Sequence, residues 1–224
     1  MLWLDRRRKA VVIMAGTTSP WPLIHAERQA LLTDLEGARM PDEAWTTTSL
    51  CSEWSVHQVL GHMVSTALMT PPRFVMEMAR SGFRFPVFSA KGVAAHTGAT
   101  PADTVAAFRG VQDRTTSPPG PTEAMLGEAV VHSEDIRRPL GLRRDYPEES
   151  LVRVADFFKG SNLLIGAKNR IAGVRLVADD VDWAHGEGPK VTGPMLSLVM
   201  AMTGREAHLA ELSGDGLPTL RARF

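Results

Sequence analysis

The stretch Gly127-Glu128-Ala129-Val130-Val131-His132-Ser133-Glu134-Asp135-Ile136 constrains this chain more than any other. Written as a helix at about 100° per residue, it puts Glu128, His132 and Asp135 within an arc of roughly 60°. Apolar residues flank that arc, Met125 and Ile136 on one side and Ala124 and Val131 on the other. The opposite side carries Glu123, Ser133, Glu134 and Arg137 and reads as the solvated face, interrupted by Leu126 and Val130. Three titratable groups thus sit in the middle of the face that should be buried. Buried charges are costly unless paired, hydrogen-bonded or bound to a metal. Two arrangements answer that cost. In one, an Arg from a neighbouring helix neutralises Glu128 and Asp135, and His132 is a core histidine. In the other, Glu128 and His132 are an i, i+4 pair of metal ligands pointing into a helix bundle. Zinc accepts such mixed imidazole and carboxylate ligation. The second arrangement needs a further ligand from another helix.

Composition narrows the choice of metal site. The 224 residues contain a single Cys, Cys51, so there is no intrachain disulfide and no Cys-rich zinc site. Any zinc must be held by His and carboxylates. One Cys also fits a reducing compartment, and a cytoplasmic location is expected. The 25 basic and 25 acidic residues balance, which gives no electrostatic reason to expect nucleic acid or an anionic membrane as partner. The apolar run from Met195 to Met202 is too short to span a bilayer. Residues 1–18 contain Arg6-Arg7-Arg8-Lys9 and then Ala10 to Ala15, superficially like a signal peptide. The apolar part is short and lacks Ala-x-Ala spacing, so this stretch reads as a disordered leader.

Periodicity and capping signals predict a helical bundle over residues 19–165. Ser19-Pro20 opens a helix to about Gly37, with Leu23, Ala26, Ala30, Leu31 and Leu35 as its apolar stripe. Ser55 caps a second helix to about Met69, with Val56, Val59, Leu60, Met63 and Ala67 as its stripe. A short amphipathic piece covers Phe74 to Met78, and Ser81 to Thr100 reads as an irregular loop of the length that is often functional. Thr100-Pro101 starts a helix to about Arg114. The Glu128/His132 helix follows, and then another from Glu148 to about Leu164. Residues 166–224 read as a small α/β segment, with a strand over Val174–Ala178, a turn-rich stretch to Gly193 and a helix over Pro194–Thr203. The expected fold is mainly α, about four main helices with a small C-terminal α/β segment.

His62 is the best third ligand, mid-helix on the flank of a buried stripe; a hydrogen-bonded core histidine is the competing reading. His57 lies about 140° away on the same wheel and cannot face the same site. His25, His57 and His208 read as solvated helix residues, and His96 and His185 as loop residues. Asp179, Asp180 and Asp182 lack the spacing of a calcium loop.

Several separated motifs carry a family resemblance. Trp45, Ser49 through Val56 and Gly61-His62-Met63-Val64 resemble the start of the mycothiol-dependent maleylpyruvate isomerase family, within the DinB-like superfamily. So do Gly127-Glu128 through Ile136 with Leu140-Gly141. The C-terminal stretch from Asp182-Trp183 through Gly186-Glu187-Gly188-Pro189, Thr203-Gly204-Arg205 and Leu212 to Gly216 is similar to that family's C-terminal part. The position after Val56, usually basic in the family, is His57 here. The resemblance implies a DinB-like four-helix bundle and a divalent metal, usually zinc, held by His62, Glu128 and His132. It also implies mycothiol or a related low-molecular-weight thiol at the open position, attacking a small electrophile in thiol transfer or cis–trans isomerisation. Asp135 would then orient a ligand, or make an ordinary salt bridge. Arg205 would grip a substrate carboxylate, or simply sit as a charge at a helix end. A zinc-dependent hydrolase using Asp135 or Glu134 as base, or a non-catalytic stress protein, are the rival readings. The expected state is monomer or homodimer.

Overall fold

The computed structural model describes residues 19–224 apart from positions 39, 52 and 164, so the expected leader at 1–18 lies outside the described residues. In chain order the helices are α1 (Trp21–Gly37), α2 (Asp42–Trp45), α3 (Val56–Ala67), α4 (Pro71–Arg80), α5 (Phe85–His96), α6 (Pro101–Arg109), α7 (Glu123–Arg137), α8 (Glu148–Phe158) and α9 (Ala167–Arg170). Strands β1 (Arg175–Ala178), β2 (Ala184–His185) and β3 (Lys190–Gly193) come next. The chain ends with α10 (Met195–Met202), a 3-10 turn over Glu206–Glu211 and α11 (Leu217–Arg221). The architecture is mainly α, with a small C-terminal α/β segment, as expected.

Local chemistry sets the helix starts. Ser55 accepts from the Gln58 amide while the Gln58 side chain accepts from the Ser55 amide, a closed capping box at the head of α3. Thr100 and Asp103 make the same reciprocal pair at the head of α6, with Pro101 at its first position. Both starts were legible from the residues alone.

Helices α1, α3, α6 and α7 form the four-helix bundle. Each packs on its two neighbours, α1 on α7 and α6, and α3 on α6 and α7. Helix α5 covers the outside of α3, and α8 covers α7 on its other side. One buried cluster joins Leu31, Leu32 and Leu35 of α1 with Val59, Leu60 and Met63 of α3, Phe108 and Ile136. A second joins Leu126, Ala129 and Val130 of α7 with Val154 and Phe158 of α8, Leu176, Val191 and the Leu198–Met202 run of α10. In the small sheet β1 is central, antiparallel to β2 and parallel to β3, with Leu176 opposite Val191. Helix α7 belongs to both clusters.

That position overturns the solvated face expected for α7. Ser133, Glu134 and Arg137 are all buried, and Leu126 and Val130 are core residues rather than interruptions. Glu134 and Arg137 are tolerated because they are paired, whereas the Ser133 hydroxyl has no hydrogen-bond partner among the described residues. Arg137 Nε donates to Asp34 at 2.7 Å and its Nη1 to the Tyr146 hydroxyl at 2.9 Å, while that hydroxyl donates to Glu134 at 2.8 Å. The same correction applies to α1, where Glu27 and Arg28 are fully buried and Ala26 is exposed. Glu27 receives Arg144 Nε at 2.8 Å. The irregular loop expected over Ser81–Thr100 is instead α5, whose Gly92 sits against Ser65 of α3. Its weak apolar periodicity hid it. His208, expected to be solvated, is fully buried beside Ser197 and Glu211.

Close approach of α3 to the end of α5 depends on Gly61. A Cβ there would lie 2.3 Å from Thr97 Oγ1 and 3.0 Å from the Thr97 amide nitrogen. Gly61→Ala should therefore destabilise the fold by about 1–3 kcal/mol through overpacking, despite alanine's higher helix propensity. Urea denaturation reads this directly, and an unchanged or raised midpoint would refute it.

Candidate functional site

Of the three polar residues singled out on α7, Glu128 and His132 open onto a cavity of about 520 Å³ between the bundle, α4, α5 and the C-terminal segment. His62 of α3, Glu128 and His132 of α7 and Arg205 all line it. The His62 and His132 rings meet edge to face with centroids 4.9 Å apart, and Trp54 lies over His62 at 4.8 Å. The two histidines were predicted from separate helices, and packing of α3 on α7 brings them together. Burial, with His132 adding to it, lowers the His62 pKa from 6.5 to about 3, so its imidazole is neutral.

Asp135 faces the base of His132. Its Oδ2 accepts from His132 Nδ1 at 2.8 Å. A carboxylate at Nδ1 fixes the proton there and leaves the lone pair on Nε2. Arg205 holds Asp135 in turn, with Nε to Oδ1 at 2.9 Å and Nη2 to Oδ2 at 2.6 Å. Burial alone would raise the Asp135 carboxyl, but the hydrogen bonds from His132 and Arg205 outweigh it and hold the pKa below its ordinary value. The third nitrogen of Arg205, Nη1, donates to the Thr203 carbonyl at 2.9 Å. All three guanidinium nitrogens are therefore engaged by the protein.

Glu128 is the unusual member. Both carboxylate oxygens are buried without a hydrogen-bond partner among the described residues. The nearest cation is Arg28 of α1, whose Nη2 stands 3.9 Å from Oε2, beyond hydrogen-bonding reach. Burial raises the Glu128 pKa and lowers that of Arg28. Arg28 was missed in the sequence although the pattern held it: it lies four residues after Ile24 and four before Leu32, inside the buried stripe. Five aromatic lining residues, Phe74, Phe85, Phe88, Phe157 and Phe158, were likewise not singled out.

Donor chemistry can be tested against a divalent ion. Two neighbouring neutral-capable imidazoles, one with its far nitrogen fixed by a carboxylate, and an orphaned buried glutamate are the ligand types that zinc takes. Among the described residues, no three His, Cys, Asp or Glu side chains are gathered closely enough to hold a metal ion. The residue types fit the ion, and their spacing here does not yet gather them around one.

Comparison with known proteins follows the same lines. Residues 24–120 match the family described as the mycothiol maleylpyruvate isomerase N-terminal domain. The match spans less than half of the chain. The match contains Arg28 and His62 but stops short of Glu128 and His132. No curated protein matches the chain. Two solved structures share its fold: a mycothiol-dependent maleylpyruvate isomerase at 15% identity, and a histidine-to-alanine mutant of such an enzyme at 14%. Each covers 88% of this chain and 93% of its own, with a TM-score of 0.55.

Cys51 sits near this network without joining it. The Leu50 amide donates to the Asp135 carbonyl at 3.4 Å, and Cys51 Sγ lies 3.0 Å from Ser49 Oγ. Burial pushes the thiol pKa up, with Asp135 adding to it, the opposite of what a nucleophilic thiolate needs. Cys51→Ser should keep thiol-dependent activity within about twofold, since such neutral surroundings ask only for packing. Loss of turnover with the fold and metal content intact would contradict this.

Neutral His62 makes a second expectation. Its folded pKa lies below its unfolded value, so the unfolded chain takes up a proton between about 3 and 6.5 that the folded chain refuses. Stability is then fully present above 6.5 and is lost as the pH falls through that window. In metal-free protein the loss attributable to His62 should reach about 2–3 kcal/mol near pH 4. Urea unfolding across pH, compared with His62→Gln, should show a flatter acid limb for the variant; parallel profiles would refute the assignment.

Proposed function

We propose that this protein is an enzyme that uses mycothiol, or a similar low-molecular-weight thiol, as nucleophile toward a small electrophile. Thiol transfer or cis–trans isomerisation would be the outcome. The observation that supports this reading best is the convergence of His62, His132 and the orphaned Glu128 carboxylate on one cavity, in a bundle whose N-terminal part matches the mycothiol maleylpyruvate isomerase N-terminal family. His62, Glu128 and His132 would hold a divalent ion, with zinc the best match to their donor types. When bound, that ion supplies positive charge that favours the ionised form of a thiol beside it.

The chain's own residues do the rest. Asp135 keeps the His132 proton on Nδ1, so that Nε2 faces its task as a lone-pair donor. Arg205 acts as a positioning residue, because its bidentate grip fixes Asp135 and leaves no guanidinium nitrogen unengaged. The role in gripping a substrate carboxylate is thereby less supported than the role in orienting Asp135. Apolar walls from α4, α5 and α8 keep water from competing with the thiol. In the reaction, the thiol loses its proton to solvent and its sulfur forms a bond to the electrophilic carbon. For isomerisation the π pair of a conjugated double bond moves onto the activating carbonyl, the new single bond rotates, and expulsion of the sulfur restores the alkene. For transfer a leaving group departs with its bonding pair.

The expected measurements follow from these roles. Purified protein should carry close to one divalent ion per chain, and His132→Ala should lose it, because two remaining ligands are too few. Thiol-dependent turnover of a panel of electrophiles, read as adduct or as isomerised product, should depend on a thiol ionisation well below the free value of about 8.5. Turnover of an ester or amide without added thiol, metal in place, would favour zinc-activated hydrolysis and overturn this reading. Absence of any turnover would favour a non-catalytic protein.

A further inference from the structure

The cavity's walls say which electrophiles can sit beside the thiol. Phe74 of α4 and Phe88 of α5 pack edge to face with centroids 5.2 Å apart, and Phe85 adjoins Phe88 at 5.8 Å. Across the site, Phe157 and Phe158 at the end of α8 lie 5.4 Å apart, with Leu163 and Ile165 beyond them. Met69, Met125 and Val131 complete an apolar lining, and Pro118 to Pro121 close one edge. About 520 Å³ leaves room for an aromatic ring beside a thiol.

Charge at the floor points the same way. Among the described residues that line the cavity, Arg205 is the only Arg or Lys, and Asp135 and Thr203 already take its three nitrogens. Glu128 adds an unpartnered carboxylate. The charge of a divalent ion there would be balanced by Glu128 and by one ionised thiol, so no surplus cation remains for a substrate anion. A carboxylate entering this cavity would lose its hydration without gaining a partner.

We infer that the electrophile is an uncharged, largely apolar molecule of aromatic size, seated between the Phe74/Phe85/Phe88 wall and the Phe157/Phe158 wall, and not a small carboxylate. The inference rests on the thiol chemistry proposed above and specifies its second substrate. The isomerase named for the structurally similar proteins acts on maleylpyruvate, a carboxylate, so this cavity marks a different selectivity on the same fold.

A matched pair of probes tests it: benzylideneacetone, an uncharged aromatic enone, and its para-carboxylate. Calorimetric binding to the purified full chain, stripped of any divalent ion by a chelator and without thiol, should favour the uncharged enone by at least ~10-fold, the cost of an unpaired buried carboxylate. Phe157→Lys, which brings a cation to the wall, should reverse that order. Phe88→Leu, a milder change that keeps the wall apolar, should weaken binding of the uncharged enone severalfold without reversing it. Mycothiol consumption is then followed with both probes; the sulfur–carbon bond forms at the β-carbon and the α-carbon takes up the proton. Equal or tighter binding of the carboxylate, or binding of neither probe, overturns the inference whatever the turnover. Preference for the uncharged probe with neither a thiol adduct nor thiol-dependent cis–trans isomerisation counts against the thiol chemistry instead, and leaves the selectivity standing.

Discussion

The buried pair between Arg205 and Asp135 is the interaction on which the rest of the site depends. It joins residues 70 positions apart and locks the segment after α10 onto the last turn of α7. Removing one partner of such a pair typically costs ~3–5 kcal/mol, because the other is left charged in a dry interior. Here the consequence is also geometric. Asp135 is the acceptor that sets the His132 tautomer, so the C-terminal segment reaches the functional face of α7 through one carboxylate. A small α/β appendage that looked peripheral in the sequence is part of how the bundle presents its histidine.

That arrangement explains what could and could not be read from the residues. The Glu128, His132 and Asp135 arc, the choice of His62 and the caps at Ser55 and Thr100 were legible because each depends on local spacing or on one helix's periodicity. The solvated face of α7 was not. Glu134 and Arg137 look like surface residues until Tyr146, Asp34 and the C-terminal core close over them, and no local signal announces a helix enclosed on every side. Helix α5 escaped for a related reason: it is apolar without a stripe, since one side meets α3 and another lines the cavity. His208 was misplaced because its burial comes from α10, whose Ser197 faces it, while Glu211 lies on its own 3-10 turn and gave no sign of that packing.

The two α7 carboxylates part ways over the first answer offered for them, neutralisation by an Arg. Asp135 takes the first, neutralised by an Arg in a fully hydrogen-bonded pair. Glu128 does not. Arg28 comes to 3.9 Å and makes no hydrogen bond with it, while Arg28 keeps Nε and Nη2 unpartnered as well. Two opposite charges so close, both buried and neither satisfied, form a pair that gains Coulomb attraction but leaves most of the desolvation cost unmet. A fold does better by letting each find full partners unless something else uses the free lone pairs. A ligand at Glu128 would resolve that cost, and the proposed binding role rests on it. The two carboxylates, seven residues apart on one helix, thus differ in a physical respect: Asp135 is fully satisfied and Glu128 is not.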